Sequence, residues 1–223
     1  MNGNRIHRRE FLTVLPVAGL ALGAAPAPRA QQVTPTEDLM REHGVLERVL
    51  LIYDELRHQL DAHGTFPPAL VIRSAEVIRS FIESYHEKLE EEHIFPMFRK
   101  KNTMVDLVNV LETQHLAGRG VTNHILALAH GGLKTGANKR RLALALHQFV
   151  RMYAPHEARE DTVLFPAFRQ MVTPAEFDAL GEEFEKRERQ LFGRDGFEGM
   201  VRKVAEIEKA LGIYDLAQFT PLG

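Results

Sequence analysis

The chain has 223 residues, enough for one ordinary domain with extensions, and its 26% charged and 44% hydrophobic residues are the balance of a soluble globular protein. A formal net charge of −2 gives no electrostatic reason to expect nucleic acid or an anionic membrane as partner. The lack of cysteine rules out disulfides, iron–sulfur clusters and thiolate zinc sites, so any metal must be held by nitrogen and oxygen.

Residues 1–30 read as an address, not as a fold element. Arg8-Arg9 precede x-Phe11-Leu12, an apolar stretch follows from about Thr13 to Ala25, and the small residues Ala25-x-Ala27 and Ala30 offer cleavage sites. The Arg-Arg-x-Phe-Leu core resembles a twin-arginine export signal. That resemblance implies a periplasmic or exported protein that crosses already folded, often with its cofactor loaded, and that has no membrane contact once the signal is removed.

Thr34-Pro35-Thr36-Glu37-Asp38 supplies a capping hydroxyl, an early proline and acidic residues, the signature of a helix start. Leu39, His43, Leu46, Leu50, Tyr53 and Leu60 carry that helix to about Asp61 with one inward stripe. His63-Gly64-Thr65-Phe66-Pro67-Pro68 ends it and opens a second helix, whose Val71, Ala75, Ile78, Ile82, Tyr85 and Leu89 step by three and four to about Lys101. Pro96 should bend or terminate this helix near its end. A third helix is expected from about Met104 to Ala129, stopped by Gly131-Gly132, and a fourth from about Ala137 to Gln170 with an irregularity at Pro155. Thr173-Pro174-Ala175-Glu176 caps a fifth, and a sixth spans roughly Gly196 to Leu211. No segment alternates as a strand does. The expected fold is all-α: an up-down-up-down four-helix bundle over residues 35–170, with a C-terminal helical extension over 173–223 packed outside it.

The chain states one motif twice. His86-Glu87-Lys88-Leu89-Glu90-Glu91-Glu92-His93-Ile94-Phe95-Pro96-Met97-Phe98-Arg99 returns seventy residues later as His156-Glu157-Ala158-Arg159-Glu160-Asp161-Thr162-Val163-Leu164-Phe165-Pro166-Ala167-Phe168-Arg169. Glu42-His43 in the first helix likewise matches Gln114-His115 in the third, so the bundle is a duplicated hairpin. A helix brings i and i+4 to one face, so each copy aims an imidazole and a carboxylate the same way. The four helices then deliver His43, His86 with Glu90, His115, and His156 with Glu160 to one interior. Burying these groups in an apolar bundle costs many kcal/mol unless a cation compensates. Imidazole and carboxylate suit iron, manganese or zinc, and carboxylates can bridge two ions.

An early His, then H-x-x-x-E ahead of [I/L]-F-P, then a third-helix His and a final H-x-x-x-E-D resemble the hemerythrin-like, or HHE cation-binding, domain over about residues 35–170. The resemblance implies two non-haem iron ions held by His43, His86, Glu90, His115, His156 and a last carboxylate, with dioxygen or another small oxidant such as peroxide, or nitric oxide, as ligand. The family's H-x-x-x-x-D pattern selects Asp161 for that carboxylate, whereas the internal repeat selects Glu160, which is the preferred reading. A second departure lies four residues after His115, where oxygen carriers have a histidine and this chain has Arg119, a permanent cation that cannot ligate. Glu47, Glu87 or His124 could substitute for it, and Arg119 could instead pair with Glu47.

Other candidates receive ordinary roles. His58 and His63 lie near a helix end, His130 beside the Gly131-Gly132 turn, His147 has no carboxylate four residues on, and His93, matched by Val163, is expected to pack near the site without ligating. Phe95, Phe98, Phe165 and Phe168 read as a wall at the bundle end, and Tyr53, Tyr85 and Tyr153 lie near the inward stripe. Alternative functions stay open: a di-iron peroxidase or oxidase-type enzyme using the same centre, or a metal-free helical interaction module.

Overall fold

The computed structural model describes residues 33–221, which are helical with no strand among them; the signal assigned to residues 1–30 lies outside the described residues. Helix α1, Pro35–Asp61, opens where the Thr34 side chain accepts the Glu37 N–H and Pro35 takes the first helical position. Helix α2 covers 68–100, α3 is Val105–His130, and α4 covers 136–171. Thr135 caps α4 through the Asn138 N–H. Met104 at φ 51° turns the chain from α2 into α3.

Short links force each helix to run back along its predecessor, giving the bundle order in which α1 packs on α2 and α4, and α3 packs on α2 and α4. Leu46, Val49, Tyr53 and Leu56 of α1 meet Ile78 and Ile82 of α2, Leu111 and Ile125 of α3, and Leu142, Leu146 and Phe149 of α4 in one continuous core. Helix α5, Pro174–Phe192, begins with a capping box between Thr173 and Glu176, lies against α1, and packs its buried Phe177 on Phe168 of α4. Helix α6, Gly196–Leu211, packs on α1 and α2 with Met200, Val204 and Ile207, and ends at Gly212 with φ 76°. Arg48 of α1 fastens it by reaching both carboxylate oxygens of Glu208. Midway along α5, Gly181 faces Pro35 of α1, where a Cβ would make ordinary contact with the proline ring at 3.4 Å.

Two features differ from the sequence expectation. Pro96 does not terminate its helix, and the irregularity expected at Pro155 is not at that residue. Pro155 stays within unbroken α-helix, because the carbonyl it fails to pair belongs to exposed Arg151 and can be solvated. The irregularities lie elsewhere, in π-helical turns over Ile78–His86 and Glu90–Ile94 of α2 and over Glu160–Leu164 of α4. The latter two occupy matching positions of the duplicated motif. In each, the phenylalanine N–H bonds a carbonyl five residues back, Phe95 to Glu90 and Phe165 to Glu160. Pro96 and Pro166 supply the reason: each lacks an N–H and would crowd the carbonyl four residues earlier, which the wider turn moves aside.

Candidate metal centre

The π turns decide what the motif presents. In an α-helix residues five apart point about 140° apart, whereas here Glu90 and Phe95, or Glu160 and Phe165, can both face inward. The phenyl ring of Phe95 then stacks on His115, with centroids 5.5 Å apart, and that of Phe165 stacks on His43 at 5.6 Å. These two phenylalanines therefore support histidines of the adjacent helices, while Phe98 and Phe168, 6.3 Å apart, form the expected wall.

Each of the four helices contributes one imidazole to a common interior and one oxygen that orients the imidazole of the next helix. Asp161 of α4 lies 2.7 Å from Nδ1 of His43 in α1, and Glu42 of α1 lies 2.7 Å from Nδ1 of His86 in α2. Glu91 of α2 lies 3.1 Å from Nδ1 of His115 in α3, and Gln114 of α3 lies 2.9 Å from Nδ1 of His156 in α4. Each Nδ1 meets an oxygen and donates to it, so every Nε2 is left facing inward. That arrangement fixes the tautomer in which a histidine ligates through Nε2.

Glu90 and Glu160 occupy the middle and are fully buried. Oε2 of Glu90 lies 3.7 Å from Nε2 of His86 and 3.5 Å from Nε2 of His115; Oε2 of Glu160 lies 3.2 Å from Nε2 of His156 and 3.4 Å from Nε2 of His43. Each carboxylate therefore touches one histidine from each half of the duplication. Nε2 of His115 and Nε2 of His156 face one another at 3.2 Å. The donor atoms of His43, His86 and Glu90 fall within 4.8 Å of one another, as do those of His115, His156 and Glu160. None of the four oxygens of Glu90 and Glu160 has a hydrogen-bond partner. Leaving buried carboxylate oxygens unpaired is costly, and cations are the partners this donor set fits.

Without cations the ring settles its charge by moving protons. Burial, and next the charge of Glu160, push Glu90 well above the ordinary carboxylate range. Burial acts the same way on Glu160, but His156 and His43 outweigh it and hold that carboxyl low. Burial would depress His43, yet Asp161 and Glu160 reverse this and lift it to about 10, while burial and the charge on His43 hold His86 well below its usual value.

The structure brings six of the seven sequence candidates into this ring: His43, His86, Glu90, His115, His156 and Glu160. Asp161 stands outside it, partly exposed, as the orienting partner of His43. Adjacent helical residues diverge by about 100°, and Glu160 is the one that turns inward. Arg119 pairs with Glu87 at 2.6 Å and Glu91 at 2.5 Å, not with Glu47. Oε1 of Glu87 also accepts the Tyr153 hydroxyl at 2.7 Å, an approach that requires Gly118, where a Cβ would lie 2.0 Å from that oxygen. His93 packs against Phe184 of α5, outside the ring. Sequence reasoning missed Glu42, Gln114 and Glu91 as orienting groups. The signal was present, since the first two precede the paired histidines and the third follows a paired glutamate.

The Hemerythrin HHE cation binding domain model matches residues 34–139. Uncharacterized proteins of Mycobacterium bovis and of two strains of Mycobacterium tuberculosis are each 48% identical over 190 residues, 85% of this chain and 74% of theirs. No solved structure matches the chain.

Proposed function

Because the chain belongs to the hemerythrin HHE cation-binding family, we propose that its buried ring holds two non-haem iron ions and binds dioxygen or a related small ligand. One observation carries this: four carboxylate oxygens, wholly buried and without hydrogen-bond partners, enclosed by four imidazoles whose Nε2 atoms face them. His43 and His86 would hold one ion and His115 and His156 the other. Glu90 would complete the first set and Glu160 the second, and each also lies beside an imidazole of the other set. Manganese or zinc would meet the same donors. Bound iron would supply redox electrons and coordination positions for the ligand. The chain's own residues do the rest: Glu42, Asp161, Glu91 and Gln114 lock the imidazoles, and Phe95 and Phe165 exclude water.

Elemental analysis with an absorbance spectrum, recorded before and after azide or peroxide, tests this reading. Two irons per chain and a ligand-sensitive charge-transfer band are expected; far less than one metal per chain after iron-replete expression would refute it.

The observation favouring an enzyme is Arg119. A guanidinium held by Glu87 and Glu91 gives the second ion no further imidazole, which leaves it less saturated and more reactive. Peroxide turnover that disappears in Glu90→Ala would establish the enzyme, whereas reversible oxygenation without turnover would establish the carrier. From the Arg8-Arg9-x-Phe11-Leu12 pattern we further propose that residues 1–30 act as a leader that would export the folded protein to the periplasm. Replacing Arg8-Arg9 by Lys-Lys should retain it in the cytoplasm, as fractionation would show.

A further inference from the structure

The duplication makes the two sides of the bundle comparable, and they differ at one point. On the α2/α3 side, Glu87 is buried, one residue after His86, and is neutralised by Arg119. The repeat maps Glu87 onto Glu157, one residue after His156, and maps Arg119 onto Glu47, four residues after His43. On the α1/α4 side the guanidinium is thus replaced by an acid. Glu157 is 2% exposed, and neither of its oxygens has a hydrogen-bond partner. The exposed Glu47 carboxyl lies within hydrogen-bonding reach of it, and Asp161 adds a third negative group nearby.

We propose that Glu47 and Glu157, with Asp161, form a port that takes divalent first-row cations from solvent to the buried ring, and that Arg119 closes the equivalent port on the opposite side. The proposal rests on the ring being a metal centre. Glu47 reaches solvent and Glu157 lies beside His156, so the pair spans surface to interior. Two facing carboxylates attract a divalent cation and are poor partners for one another. Both Glu157 oxygens are buried without a hydrogen-bond partner, so an arriving cation meets an unsatisfied acceptor there. The Arg119 side cannot serve, because a guanidinium seated between Glu87 and Glu91 repels cations from both. An acid-lined path raises the local cation concentration and hence the entry rate, typically by tenfold or more, without altering the final affinity.

The test is the rate at which the metal-free full-length chain takes up Co(II), followed by stopped-flow absorbance at low, constant ionic strength. Glu47→Lys rebuilds the Arg119 plug on the open side and should slow uptake by about tenfold, with final metal content unchanged. Glu157→Gln should slow it similarly, and Glu47→Gln, which adds no charge, by a few-fold. Asp178→Asn, an exposed acid on α5, should not change the rate, and 0.5 M salt should shrink the differences. Arg119→Gln should accelerate uptake. Equal rates across these variants would overturn the port while leaving the metal centre standing. A native chain that takes up no Co(II) would overturn the metal centre and the port with it.

Discussion

Every imidazole in the ring has its Nδ1 held by an oxygen from a neighbouring helix, so the four Nε2 atoms converge before any ion arrives and an incoming ion displaces whatever protons they carry. The tension falls on the carboxylates. Glu90 folds into a place where burial and the charge of Glu160 make it hold a proton that the unfolded chain gives up near pH 4.3. A folded-state pKa raised in this way destabilises the protein as pH climbs above the unfolded value, since the folded chain must then keep a proton the unfolded chain has lost. Glu90→Gln should therefore stabilise the chelated protein at pH 7 and leave it almost unchanged near pH 4. Urea denaturation at the two pH values measures this. The same variant should lose the stabilisation that added metal gives the native chain. A variant no more stable at pH 7 than the native protein would mean that Glu90 pays no such cost.

At the level of helices, the turn that matters is the π turn. It lets a carboxylate and a phenyl five positions apart serve the same cavity, Glu160 between His156 and His43 while Phe165 stacks on His43. Pro166→Ala should remove the crowding that opens the turn and let α4 close into regular α-helix with Glu160 and Phe165 still five apart, leaving helical content unchanged by circular dichroism. It should also weaken metal binding by about 10- to 100-fold, because Glu160 and Phe165 could no longer both face inward. Unchanged affinity would show that the wide turn is incidental. The helices and the H-x-x-x-E pairs were legible because α geometry ties spacing to direction. The π turns were not: an i→i+5 bond is made by backbone that any side chain can follow. Proline was an ambiguous pointer, since Pro96 and Pro166 accompany π turns whereas Pro155 sits in regular helix. The choice of Glu160 over Asp161 was readable from the repeat alone. Asp161 as the partner of His43 was not, because contacts across 118 residues leave no trace in local spacing.

Across the described molecule, the extension is fastened to the bundle by charge as well as by apolar contact. Arg48 grips Glu208, Arg187 reaches Glu92 and the Arg41 guanidinium lies 4.3 Å over the Phe197 ring. The docking also crowds acids around the start of α1. Burial and then the charge of Glu188 raise Asp38 to about 6 from a reference value of 3.8, with Glu185 and Glu198 adding to the effect. Its folded value exceeds its unfolded one, so the destabilisation is absent below pH 3.8, grows from there to about pH 6, and is complete above. Asp38→Asn should raise the thermal midpoint at pH 7.5 by several degrees and leave it unchanged at pH 4. A scanning melt of both proteins decides it, and equal midpoints at pH 7.5 would mean that α5 and α6 impose no such cost.

The unpartnered oxygens of Glu90 and Glu160 also govern how the protein endures scarcity. A chain that is less stable without its ions spends more of its time open, and proteases act on that open fraction. At constant synthesis, the quantity of this protein in a cell should therefore rise and fall with metal supply, so that starvation trims the population to the molecules that can be filled.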